Sequence, residues 1–207
     1  MNNSKIYIPN LSLGNTKSVV NMVRKAGGLV QIAGSPSELL DAEKIILPGV
    51  GSYDAGMTEL HDGGWVEALN DLVLVRKRPI LGICLGMQFF FDGSEEGVCP
   101  GLGWIPGTLV RFCSTPENPI KVPHMGWNTL KVKRTDSLFD SSDEEVRFYF
   151  VHSYHAVCKD EYDLVATAHH GSDVTAAVQR GNIYGVQFHP EKSHKFGLSL
   201  FNNFLSV

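Results

Sequence analysis

The sequence predicts an α/β fold: a mainly parallel sheet flanked by helices, with an added antiparallel β layer in the second half. Three observations lead there. Up to about residue 91, short apolar runs alternate with helical patterns, an order that builds a parallel sheet from βαβ units. Beyond about residue 104 the apolar runs are short, β-rich and turn-bounded. The 207 residues contain no internal repeat, low-complexity tract or Pro-rich linker, so they read as a single domain, 1–207, long enough to bury a full core.

In order, "KIYI" (5–8) reads as a strand and "NTKSVVNMVRKAG" (15–27) as a helix that Gly27 and Gly28 stop. "GLVQIAG" (28–34) is the next strand. Ser35, Pro36 and Glu38 then supply a capping residue, a first-turn proline and a capping-box partner for a short helix. "EKIILPG" (43–49) is a strand, "GWVEALNDLVLVRKR" (64–78) a helix, "PILGIC" (79–84) a strand, and "GMQFFF" (86–91) the pattern after it. The β-rich runs of the second half are 104–112, 127–134, 146–154, 162–170, 174–181 and 183–190, and the helical "SHKFGLSLFNNFL" (193–205) closes the chain.

Composition excludes more than it selects. With 18 Lys and Arg against 22 Asp and Glu, the net charge of −4 gives no footprint for a nucleic-acid backbone or an anionic membrane. Four cysteines, at 84, 99, 113 and 158, form no CxxC pair and no disulfide or zinc-cluster spacing, which fits a reducing cytosol. No apolar run approaches the roughly 20 residues of a membrane span, and "MNNSKIYIPN" lacks the apolar core of a signal peptide. The expected location is the cytoplasm.

One cysteine stands apart. In "GICLGMQ" (82–88) Cys84 follows an apolar strand and lies between Gly82 and Gly86. A nucleophile on a sharp strand-to-helix turn needs small neighbours, because the backbone is strained and the two elements pack closely. The following helix would direct its N-terminal dipole at the sulfur and favour the thiolate. The next N–H, that of Leu85, would be available to an oxyanion. The same pattern also suits a thiol buried in the core, so a base is required. "YGVQFHPEKS" offers one: His189 ends an alternating run, Pro190 fixes the backbone, and Glu191 points the same way as His189 in extended chain. Together they would make a Cys, His, Glu relay. Otherwise they form a polar turn at a strand end. His169 and His170 read as a solvated strand end, His61 and His194 as surface helix positions, and Cys99, Cys113 and Cys158 as packing residues.

"GICLGMQ" and "FHPE", about a hundred residues apart and each after a strand, together resemble the class I glutamine amidotransferases. The resemblance extends over nearly the whole chain: "LPGVGSYDAGM" is similar to the family's oxyanion loop, "GMQFFFDGSEEG" to its glutamine pocket and "GLGWIPG" to the turn into the added layer. "KVPHMGWN" and "FYFVHSYH" resemble one branch, the glutaminase subunits of imidazole glycerol phosphate synthases. The resemblance implies a flavodoxin-like fold and hydrolysis of glutamine to glutamate and ammonia with no metal or organic cofactor. Its implied triad is Cys84, His189 and Glu191, with oxyanion donors at Leu85 and at Val50 and Gly51 of the 49–51 loop. Gln88, Glu96, Ser153 and Tyr154 would bind glutamine, Glu96 facing the α-ammonium.

The implied partner is a (β/α)₈-barrel cyclase in a heterodimer, which uses the ammonia to make imidazole glycerol phosphate and an aminoimidazole carboxamide ribotide. Asn15, Pro123, His124, Met125 and Trp127 would face it, Trp and Met being enriched at contact cores. The first loop departs from the family. Where an Asp-Tyr-Gly-x-Gly-Asn run is usual, "PNLSLGN" has Asn10, Leu11 and Ser12, and keeps Gly14 and Asn15. Because that loop faces the synthase in the family, a paralogous glutaminase serving another synthase, such as a surface-sugar amidating enzyme, is the alternative. A stand-alone cysteine hydrolase and a catalytically silent regulatory subunit are the readings from other classes.

Overall fold

The computed structural model describes residues 4–135, 138, 139 and 145–207. Its elements run β1 (Lys5–Pro9), α1 (Thr16–Lys25), β2 (Leu29–Ala33), α2 (Pro36–Leu39), β3 (Lys44–Gly49), α3 (Tyr53–Asp62), α4 (Trp65–Asn70), β4 (Ile80–Cys84), α5 (Leu85–Gln88) and β5 (Gly93–Ser94). They continue β6 (Gly107–Arg111), β7 (His124–Val132), β8 (Arg147–His152), β9 (Tyr154–Cys158), β10 (Leu164–His170), β11 (Ser172–Arg180), β12 (Ile183–Val186) and α6 (His194–Ser206).

Nine strands form one sheet in the order β2-β1-β3-β4-β12-β11-β10-β7-β8. From β2 to β12 all pairings are parallel; from β12 to β8 all are antiparallel. The antiparallel strands of the second half therefore divide. Four of them extend the main sheet, while β6 and β9 join β5 in a separate three-stranded sheet.

The parallel strands read as near-continuous apolar runs because both faces of the sheet are covered. Ile6, Ile8, Ile46, Leu81 and Ile83 pack on one face with α1, α6, Phe148 and Phe188. Tyr7, Ile45, Leu47 and Ile80 pack on the other with Tyr53, Met57, Leu60 and Phe89 to Phe91. At roughly 1.5–3 kcal/mol for each large apolar side chain buried, these two layers supply the main driving force for folding.

Local chemistry explains where the elements end. Gly27, at φ 86°, terminates α1 in the left-handed conformation that favours glycine. At α2 the glutamate partner is used differently from a capping box: Glu38 accepts from the N–H of Gly34 at 2.9 Å, and the Ser35 side chain does not cap the helix backbone. The helical pattern at 64–78 is α4 followed by one wide turn over Asp71–Val75, closed by Arg76 N–H donating to Asp71 O at 2.9 Å. The segment similar to the family's oxyanion loop, 47–57, also holds a helix that its pattern does not announce: α3 begins at Tyr53 and buries Tyr53, Gly56, Met57 and Leu60 along one face. The helix after β4 is a single turn, Leu85–Gln88. Phe89, Phe90 and Phe91 are all buried, and three consecutive residues span too much of a helix circumference to share one buried stripe. No helix among the described residues is long and apolar enough to cross a membrane.

Close approach of β4 to its neighbours depends on glycine. A Cβ at Gly86 would collide with the carbonyl oxygen of Leu47, one at Gly82 would lie 2.6 Å from the Phe90 ring, and one at Gly49 would lie 2.7 Å from the Gly86 nitrogen. Gly86→Ala therefore forces backbone apart. It is expected to cost about 1–3 kcal/mol or more, lowering the thermal midpoint by at least several degrees; an unchanged midpoint by calorimetry contradicts this packing.

Candidate functional site

Cys84 ends β4 with φ 54° and ψ −112°, a conformation rare for any residue with a Cβ. The surrounding contacts hold it there: β3 on one side, with Gly49 paired to Cys84, and α5 leaving immediately after it. Because α5 is one turn, the expected contribution of a helix dipole reduces to the free N–H groups of that turn.

His189 follows β12, and its ring is fixed at both ends of the local chain. Its N–H donates to Tyr149 O at 2.8 Å, and its carbonyl accepts from the Ser193 hydroxyl at 2.7 Å. The same hydroxyl oxygen accepts from Tyr149 N–H at 3.1 Å, so Ser193 ties β8 to the His189 turn. Nδ1 of His189 lies 2.8 Å from Glu191 Oε1, and both side chains are almost wholly buried. A carboxylate can only accept there, so Nδ1 carries the proton. Nε2 and Glu191 Oε2 have no hydrogen-bond partner among the described residues. Burial by itself would lower the His189 pKa. The neighbouring Cys84 and the hydrogen-bonded carboxylate of Glu191 outweigh it and raise the value from 6.5 to about 9. The arrangement therefore favours the imidazolium form of His189.

A cavity of about 340 Å³ opens over the sulfur, lined by Val50, Gly51, Cys84, Leu85, Gln88, Glu96, Pro123, Ser153, Tyr154 and His189 together with Val151 and His152. It thus gathers the residues expected for the thiol, the oxyanion and the glutamine pocket; Glu191 stands behind His189. Gly51, at φ 112°, bends the loop after β3 in a way that favours glycine. Burial raises the pKa of Glu96, its backbone contact with Tyr53 lowers it, and nearby Asp54 raises it, with a net upward shift. An ionised carboxylate there gains from a cation. Gln88 is more occupied than a simple pocket-lining role requires: its Nε2 donates to Gln187 Oε1 at 3.0 Å and to Tyr154 O at 3.4 Å.

Three positioning features were not readable as functional. Asp54 accepts from the N–H groups of Val98 and Cys99, both at 3.0 Å, and so clamps the Glu96 loop onto α3. Ser193 and Gln187 are wholly buried beside the triad. The "VQF" and "EKS" contexts signal strand and turn, with nothing to mark their hydrogen bonds.

The expected partner-facing residues separate. Pro123, His124, Met125 and Trp127 line a second, larger cavity of about 880 Å³ with Asn128, His169 and His170, and Pro123 lines both cavities. Met125 is 61% exposed and Trp127 47%, with the Trp127 ring stacked 5.7 Å from His194. His124 is buried instead, and its Nδ1 is 2.9 Å from His152 Nε2. Its expected role as a contact residue is corrected to one in the cavity wall. Asn15 stands immediately before α1, where its carbonyl accepts from the Ser18 and Val19 N–H groups and its side chain makes no cap, outside that cavity. The departing first loop is anchored, as the Ser12 N–H and hydroxyl donate to the two Glu59 oxygens at 2.7 and 2.8 Å. His169 is exposed as expected, whereas His170 is half-buried, stacked 4.3 Å from His124. Among the described residues no group of His, Cys, Asp or Glu is arranged to hold a metal ion.

The model of the family "Glutamine amidotransferase class-I" matches residues 8–207. The chain is 45% identical over 202 residues to the imidazole glycerol phosphate synthase subunit HisH 2 of Pseudomonas aeruginosa, covering 98% of this chain and 99% of that one. It is 46% identical over 200 residues to the subunit of the same name from Methanococcus maripaludis, covering 97% and 98%. Among solved structures it is similar to PurLQS from Thermotoga maritima, with a TM-score of 0.76 and 21% identity over 99% of this chain and 98% of that one. At that identity the likeness concerns the fold.

The His189 pKa gives a test with a defined sign. Since the folded value of about 9 lies above the unfolded 6.5, the ring's interactions contribute stability fully present below pH 6.5 and lost as pH rises through about 9. In Cys84→Ala the contribution of the sulfur is removed, so the His189 titration midpoint followed by NMR is expected to fall. A midpoint unmoved by that substitution contradicts the pairing.

Proposed function

The chain belongs to the class I glutamine amidotransferase family, and from that premise we propose that it is the glutaminase subunit of an imidazole glycerol phosphate synthase. It hydrolyses glutamine to glutamate and ammonia in the cavity beside Cys84. The ammonia passes to a cyclase partner of (β/α)₈-barrel fold, in a cytoplasmic heterodimer that makes imidazole glycerol phosphate and the aminoimidazole carboxamide ribotide. The observation that carries this reading is the burial of His189 and Glu191 as a 2.8 Å pair behind a cysteine held at positive φ. The names and full-length coverage of the relatives support the choice of synthase.

In this reading the Cys84 thiolate attacks the side-chain amide carbon of glutamine, and the carbonyl electrons move onto oxygen, which accepts hydrogen bonds from the N–H groups of Leu85 and the 50–51 loop. Collapse breaks the C–N bond while His189 gives its proton to the departing nitrogen. His189 then takes a proton from water as it attacks the thioester, and the C–S bond breaks to release glutamate. Glu191 holds the imidazole in its tautomer and balances its charge. Glu96 receives the α-ammonium, while Ser153, Tyr154 and Gln88 hold the rest of the amino acid. Pro123, shared by both cavities, supports a route for ammonia from the sulfur towards the face bearing Met125 and Trp127.

A second reading, a paralogue feeding a different synthase, is favoured by one observation: Leu11 and Ser12 stand in the partner-facing loop, with Ser12 locked to Glu59. The two readings part on the acceptor. Copurification with the cyclase and glutamine-dependent turnover of its ribotide support the first, and failure to stimulate any cyclase overturns it.

Within the complex, Cys84→Ala is expected to abolish glutamate release while ammonia-dependent cyclase turnover persists. Residual glutamate release would overturn the assignment of the nucleophile. Glu96→Gln is expected to raise the KM for glutamine about 10- to 100-fold, with a smaller effect on kcat, as loss of one charged hydrogen bond predicts. A drop confined to kcat would remove Glu96 from substrate binding.

A further inference from the structure

Gln187 is wholly buried one residue past β12. Its backbone is fixed by the N–H donating to Ala176 O at 2.9 Å. Its side chain connects the glutamine pocket to the reactive sulfur: Oε1 accepts from Gln88 Nε2 at 3.0 Å, and Nε2 donates to Cys84 Sγ at 3.7 Å.

The direction of this connection is fixed by groups that have no choice. Tyr154 O is a carbonyl oxygen and can only accept. Gln88 therefore turns its NH₂ towards it, and the second hydrogen of that nitrogen goes to Gln187 Oε1. Gln187 is left with its own NH₂ facing Cys84. The same carbonyl sets the histidines behind it. His152 Nδ1, 2.7 Å away, carries a proton, so His152 Nε2 accepts from His124 Nδ1, and His124 Nε2 accepts from Asn128 Nδ2 at 3.0 Å. Burial lowers the pKa of His124 to about 4 and that of His152 to about 3, and the surrounding histidines add to the depression, so both rings stay neutral at pH 7. From Asn128 to Tyr154 and from Gln88 to Cys84, every polar hydrogen has one allowed direction.

We propose that Gln187 is a catalytic residue whose amide N–H holds the Cys84 sulfur as an anion. A neutral thiol is a weak acceptor, whereas a thiolate is a charged one, so the interaction gains strength when the proton has gone to His189. During attack the sulfur electron pair forms the S–C bond and the donor loses its anion. When the thioester is hydrolysed, the S–C bond breaks, the electron pair returns to sulfur, and the Gln187 amide N–H donates to that anion again. Gln88 thereby has two duties: it lines the cavity and it orients Gln187. The substrate named in this cycle rests on the glutaminase reading above, but the contact with sulfur does not.

The test is the pH dependence of Cys84 alkylation by iodoacetamide in the full-length chain, read by peptide mass spectrometry, with exposed Cys113 as the internal control. In Gln187→Leu the Cys84 midpoint is expected to move up by about one pH unit, and glutamate release in the complex to fall about 10- to 100-fold, the size of a charge-assisted hydrogen bond. The Cys113 midpoint stays where it was. Gln187→Asn keeps an amide but withdraws it from the sulfur, and the same upward movement is expected, which preserves the test if the leucine variant does not fold. An unmoved Cys84 midpoint in a folded variant overturns the proposal, whether or not glutamate release falls, because a structural role alone would leave the thiol's ionisation unchanged. Absence of glutamate release by the wild-type complex would overturn the glutaminase reading instead, and alkylation would still report on Gln187.

Discussion

The path of the chain through Leu47, Gly49, Gly82, Cys84 and Gly86 sets the geometry of everything around the sulfur. A Cβ at Gly86 would meet the Leu47 carbonyl, and one at Gly49 would meet the Gly86 backbone, so β3 and the turn after β4 touch main chain to main chain. That contact leaves Cys84 at φ 54°, a conformation it keeps only because parallel pairing with β3 and β12 fixes the strand before it. The sulfur stands at the C-terminal ends of the central parallel strands, where an open α/β sheet leaves room for ligands.

Around this turn, buried polar groups are arranged in pairs with defined direction. Glu191 fixes the proton on His189 Nδ1, and Tyr154 fixes Gln88 and His152. Leaving one such partner unmade costs about 1–3 kcal/mol, so each pairing resists distortion more strongly than its modest net contribution to stability suggests. Two of the exceptions lie at the reactive centre: His189 Nε2 and Glu191 Oε2 are, like Tyr53 OH, His155 Nδ1 and Thr167 Oγ1, buried without a hydrogen-bond partner among the described residues. An imidazole nitrogen left unpaired beside a cysteine is available to exchange a proton.

Much of the parallel half was legible because periodicity and punctuation agree there: "IILPG" and "PILGIC" are continuous runs without a polar side chain before Cys84 since both sheet faces are covered, and Gly27 marks a helix end. Cys84, His189 and Glu191 were legible through short-range geometry, glycines two residues either side of the first and an extended His-Pro-Glu for the others. What escaped depends on contacts distant in sequence. Helix α3 was hidden inside a glycine-containing segment, with Gly56 required by the Phe89 ring packed against it. The burial of His124 follows from β7 pairing with β8, which brings it opposite His152. Gln187 gains its meaning from Gln88, 99 residues earlier, and from Cys84, 103 residues earlier, separations at which no local pattern operates.

The most direct test of the central claim, that this turn makes Cys84 a nucleophile towards the glutamine side chain, is covalent capture. A diazoketone analogue of glutamine, incubated with the complex and mapped by peptide mass spectrometry, is predicted to modify Cys84 and none of Cys99, Cys113 or Cys158, with protection by excess glutamine. Modification of another cysteine in place of Cys84, or labelling that glutamine does not suppress, would contradict the account.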